Sequence, residues 1–98
     1  MIRVRFLPAA EIEFLREVTF YSQARKGTGI RFQAAVQAAV SRVATHPLGG
    51  APSYRETRSA LVKGFPFSVV YRHSANELLV VAIAPHRKRP YYWASRLE

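Results

Sequence analysis

The sequence predicts an α+β fold: one sheet with a helical hairpin packed on one of its faces. Three observations predict it. Ile2, Val4 and Phe6 alternate with Arg3 and Arg5, the period-2 pattern of a half-buried strand. From Ala9 to Thr45 the apolar residues instead recur at helical spacing, broken once by Lys26-Gly27-Thr28-Gly29. Beyond Pro52 come three extended segments joined by turn-forming residues, ending in the apolar run Leu78 to Ala84. With 98 residues there is room for one domain, 1–98, and one core.

Each element follows from its residues. The first strand, Ile2 to Phe6, ends at Leu7-Pro8. The first helix carries Phe14, Leu15, Val18 and Tyr21 on one face, with Glu13, Arg16 and Glu17 expected to point elsewhere. Two glycines in Lys26–Gly29 mark the turn. The second helix is expected from about Ile30 to Thr45, with Phe32, Val36, Ala39, Val40 and Val43 inward, and His46-Pro47 stops it. Two such helices form an αα-hairpin that needs a sheet to cover its apolar side. Leu48 to Pro52 is a loop by composition. Tyr54 to Val62 reads as a polar strand and Lys63-Gly64 as a turn. Phe67 to His73 and Glu77 to Ala84 read as a hairpin joined at Ser74-Ala75-Asn76. The N-terminal strand and these three are expected to form one antiparallel sheet.

Charge narrows the partners. Fifteen Lys and Arg face six glutamates, a formal charge of +9, which suits nucleic acid or an acidic protein. No apolar run reaches the ~20 residues of a membrane-spanning helix, and no signal-like segment follows Met1. Without cysteine, and with His46, His73 and His86 far apart, there is no metal-site spacing. A cytoplasmic domain without metal or cofactor is the expectation.

The final strand turns abruptly into Pro85-His86-Arg87-Lys88-Arg89-Pro90 and then Tyr91-Tyr92-Trp93. Cations and aromatics massed past the end of a buried strand are held from behind and face a partner. Four pieces of the chain, in order, resemble the RelE/ParE superfamily of toxins from bacterial type II toxin–antitoxin systems. They are Val4-Arg5-Phe6-Leu7-Pro8-Ala9-Ala10; Phe32 with the Ala- and Val-rich helix to His46-Pro47; Arg58 with Phe65-Pro66-Phe67 and Val69-Val70-Tyr71-Arg72; and Ala82-Ile83-Ala84 followed by His86 to Pro90 and Tyr92-Trp93.

The resemblance implies growth inhibition, a role in plasmid stabilization, and a cognate antitoxin with an acidic or amphipathic segment. It leaves two mechanisms open. RelE-like members cut mRNA on the ribosome without a metal. For them the matching residues are Arg58 and Lys63 on phosphate, Arg87 past the last strand, Tyr92 near the family's tyrosine, and His86 as proton shuttle. Two departures count against that chemistry: Ser68 stands where RelE-like members carry an arginine, and Pro85 where a second histidine is common. Losing such a cation removes roughly 3 kcal/mol of charge stabilisation. ParE-like members poison DNA gyrase and need no catalytic set, and the long hairpin favours them. In that reading His86, Arg87, Lys88, Arg89, Tyr91, Tyr92 and Trp93 form the target-binding surface, since Arg, Tyr and Trp are favoured anchors. Outside the toxin class, a basic nucleic-acid-binding module fits the charge but shows none of its signatures.

Overall fold

In the computed structural model, which describes residues 2–98, the chain runs β1 (Arg3–Phe6), α1 (Pro8–Ala24), α2 (Thr28–Thr45), β2 (Ala51–Pro52), β3 (Arg58–Leu61), β4 (Phe67–His73) and β5 (Glu77–Pro85). Short 3-10 turns occupy Pro47–Gly49, Tyr54–Glu56 and Ala94–Leu97. The sheet has five strands in the order β1-β5-β4-β3-β2. That corrects the four-strand, all-antiparallel expectation in two ways. Ala51-Pro52 pairs antiparallel with Ser59 and Arg58, adding an edge strand inside the expected loop. And β1 lies parallel to β5, Arg3 beside Glu77 and Phe6 beside Val80, because the helical hairpin carries the chain back to its starting end.

The turn between the helices also departs from expectation. Gly27, at φ 84°, is the residue that needs left-handed backbone. Gly29 already belongs to α2 and is buried, for a different reason: a Cβ there would lie 1.8 Å from the Ser22 Oγ and 2.7 Å from the Val18 carbonyl. The glycine lets the two helices touch. Tyr54 to Val62 is not one long strand. Arg55 and Glu56 take left-handed backbone, so pairing begins only at Arg58.

The inward stripe of α2 holds, with Phe32, Val36, Ala39 and Val43 buried. Along α1, Phe14, Val18 and Tyr21 pack against the core, but Leu15 is exposed. The Phe32 ring sits 5.1 Å from each of Tyr21, Phe65 and Phe67. Tyr71, expected as packing, is fully buried; its hydroxyl donates to the Pro47 carbonyl at 2.6 Å and accepts from the Gly50 N–H at 3.0 Å.

A second cluster lies on the sheet's opposite face: Val70, Val81 and Ala82 beneath Trp93, with Leu79, Tyr92 and Leu97 packed around them. A β-bulge makes it possible. Val70 pairs with Ala82 and Tyr71 with Val80, leaving Val81 unpaired between them. The extra residue puts Val81 and Ala82 on the same side, and the C-terminal tail covers both.

Candidate functional site

Glu13 pins the tail to the edge of β5. Past Phe6 no strand continues beside β5, and side chains complete its edge instead. The Ile83 N–H donates to Glu13 Oε1 at 3.1 Å, and the Val81 carbonyl accepts from Arg96 at 3.0 Å. Arg96 also grips Glu13 with both terminal nitrogens, at 2.9 and 2.8 Å, while the Tyr92 hydroxyl donates to Glu13 Oε2 at 2.6 Å. Glu13, expected to point away from the helix's apolar face, is the centre of a half-buried network. Burial raises its carboxyl pKa, but the hydrogen bonds from Arg96 and Tyr92, the Arg96 charge and the Ile83 N–H outweigh burial and hold it below the usual value. The Tyr92 phenol is pushed far above its usual range by burial, by its hydrogen bond to Glu13 and by that carboxylate's charge.

With the tail held there, its other residues have fixed places. Trp93 is buried and Tyr92 half-buried, while His86, Arg87, Lys88, Arg89 and Tyr91 stand exposed. The Lys88 ammonium lies 4.9 Å from the Tyr92 ring centroid, over its face. Between tail and sheet is a depression of about 240 Å³. Ser59, Ser68 and Val70 line it from the sheet, His86, Lys88, Arg89 and Tyr91 from the tail, and no carboxylate lines it. On that surface the Ser68 Oγ and His86 Nε2 share a hydrogen bond of 2.9 Å.

The residues that RNA cleavage would require are only partly brought together. His86 and Tyr92 line the depression just described, and His86 and Lys63 line a neighbouring one. Arg58 lines neither; its guanidinium donates to the Leu48 and Gly50 carbonyls at 3.2 and 2.8 Å, securing the turn before β2. Arg87 also lines neither, and its charge is felt by the Tyr21 phenol at the hairpin side.

One surface residue escaped the sequence. Tyr54, half-exposed, lies against Tyr91 with ring centroids 5.3 Å apart, and the Arg55 guanidinium stands 5.6 Å from its ring centroid. Read as part of a polar strand, Tyr54 gave no signal that it would meet the tail.

A second feature lies at the other end of the sheet. Val4, Phe6, Phe14, Leu15, Val36 and Val40 line an apolar groove of about 450 Å³ between β1 and the hairpin. Beside it β1 is an edge strand, with Arg5 paired to Glu77 at 3.2 Å on the surface. Among the described residues no helix is long and apolar enough to cross a membrane, and no cluster of metal-ligating side chains occurs.

Comparison with known proteins gives a consistent picture. A family model described as the ParE toxin of the type II toxin–antitoxin system parDE matches residues 4–90. Among solved structures, a chain of the chromosomal ParDE toxin–antitoxin system from P. aeruginosa superposes with a TM-score of 0.64. It is 21% identical, over 87% of this chain and 96% of that one, a likeness of fold. No curated protein sequence matches.

Proposed function

Because the chain belongs to the ParE toxin family of type II toxin–antitoxin systems, we propose that it arrests growth by poisoning DNA gyrase and is neutralised by a cognate antitoxin. The observation that carries this reading is the Glu13–Arg96–Tyr92 network. It consumes the one tail hydroxyl that RNA cleavage would use and holds Arg87, Lys88, Arg89 and Tyr91 outward on a rigid support. A surface of fixed cations and an aromatic ring suits recognition of a protein. The spent Arg58 guanidinium and the serine at position 68 point the same way.

The antitoxin would cover the helical hairpin and the sheet edge. Supporting this are the apolar groove beside β1 and the strand's unpaired outer edge, which together accept an amphipathic segment. Acidity in that segment would speed association with a chain of charge +9. Action in the cytoplasm follows from the proposed target.

The test is to induce the chain in cells and label DNA and protein synthesis within minutes. DNA synthesis should fail first, with a DNA-damage response. Collapse of amino-acid incorporation while DNA synthesis continues would instead assign the chain to ribosome-dependent mRNA cleavage.

A further inference from the structure

Three described residues other than glycine have left-handed backbone: Arg55 (φ 58°), Glu56 (φ 61°) and Tyr91 (φ 61°). Two lie in the β2–β3 connection and one in the C-terminal tail, and they converge at the Tyr54–Tyr91 ring contact. Such backbone is unfavourable for side chains of this size, and it persists only where surrounding contacts over-determine it. Those contacts are present. Arg72 donates to the Arg55 carbonyl at 2.5 Å, Thr57 Oγ1 donates to the Tyr54 carbonyl at 2.6 Å, and Arg55 meets Glu98 at 3.5 Å. Trp93 braces Tyr91 edge-on, with centroids 6.1 Å apart.

The strained backbone leads into the buried Thr57 and sets Tyr91 against the buried Trp93. Outside, two aromatic rings lie in tilted contact, 48% and 53% exposed. Apolar surface held in water at that place is removed from it when a partner covers the rings.

We propose that the Tyr54–Tyr91 pair anchors the surface that docks the toxin's protein target, and that the occupant is an acidic segment of that target. Its identification with gyrase rests on the function proposed above. The depression beside the rings is sized for one side chain, and Lys88 and Arg89 on its lining match a carboxylate. No carboxylate lines the depression and Glu98 is already paired with Arg55, so an acidic side chain of the target meets no free carboxylate there.

The experiment compares wild type, Tyr54→Ala and Tyr54→Phe for growth arrest on induction and for inhibition of purified gyrase. Thermal unfolding and co-purification with the antitoxin check that each variant is folded. Tyr54→Ala should need at least tenfold more protein for arrest while unfolding near the wild-type temperature, and Tyr54→Phe, which keeps the ring, should recover most of that loss. Arrest by Tyr54→Ala at wild-type dose overturns the proposal, as does failure of the wild-type chain to arrest growth. If the wild type arrests growth without inhibiting gyrase and Tyr54→Ala loses the arrest, the docking surface stands and the gyrase target falls. Tight binding of a fluorescent single-stranded oligonucleotide that Tyr54→Ala abolishes would assign the rings to nucleic acid, overturning the protein occupant.

Discussion

Arg96 closes a two-pronged ion pair on Glu13, 83 positions earlier in the chain, at 2.8 and 2.9 Å. Both side chains keep about a fifth of their surface in water, so the pair lies between the exposed and the buried regimes. Arg96→Ala leaves a half-buried carboxylate without its cation, and the expected loss of stability is about 2 kcal/mol. Tyr92→Phe removes one charge-assisted hydrogen bond and should cost about 1.5 kcal/mol. Chemical denaturation of the three proteins checks the order.

The same carboxylate sets an acid limit. Its folded-state pKa is lowered from 4.5, so the stability it contributes is complete above that value. It is lost as pH falls below 4.5 through the lowered folded-state value. The unfolding temperatures of wild type and Glu13→Gln should therefore converge on acidification. At the alkaline end the sign reverses. The Tyr92 phenol, raised above its usual 10, holds its proton in the folded state, so raising pH past 10 favours unfolding. In an ultraviolet titration the wild type should show a late-ionising phenol that Tyr92→Phe lacks.

Gly29→Ala should separate the two helices. Ser22 can rotate away from the added methyl, but the Val18 carbonyl at 2.7 Å is backbone and cannot. A loss of about 2–3 kcal/mol is expected, within the range for an overpacked site. Ser22→Ala should not rescue it.

Tyr71→Phe keeps the buried ring and strands two backbone groups, the Pro47 carbonyl and the Gly50 N–H. Each was satisfied by one hydroxyl, and the expected cost is about 2 kcal/mol. Because a Cβ at Gly50 would lie 2.6 Å from that hydroxyl, Gly50→Ala should destabilise as well, and less so in the Tyr71→Phe background.

Reversing charge at Lys88 and Arg89 together tests the tail surface. Both are exposed, so unfolding should shift by no more than about 1 kcal/mol, part of it from the Lys88–Tyr92 contact. Growth arrest should weaken at least tenfold. Retained arrest would move the target contact elsewhere.

What the sequence made legible was whatever periodicity encodes. Phe32, Val36, Ala39 and Val43 declared an inward helical face, and the run ending at Ala84 declared a buried strand. Periodicity is silent where the same pattern permits two outcomes. A continuous apolar run has no alternation to break, so the bulge at Val81 left no trace. Leu15 was misassigned, and the partners of Glu13 went unseen, because helical spacing gives a face but not its neighbours. Only the returning tail supplies Glu13 with Arg96. Tyr54 stayed hidden because two consecutive left-handed residues, neither of them glycine or asparagine, carry no compositional mark.

The parallel pairing of β1 with β5 has a kinetic consequence. β4 and β5 are joined by a tight turn and can zip at once, whereas Arg3 must find Glu77 across almost the whole chain. Closing so large a loop delays the contact until its far side exists. The first strand therefore docks late, onto a β4–β5 hairpin already formed. The Glu13–Arg96 pair that pins the tail closes a larger loop still, so the groove where the antitoxin is proposed to sit and the tail surface both appear only late in folding.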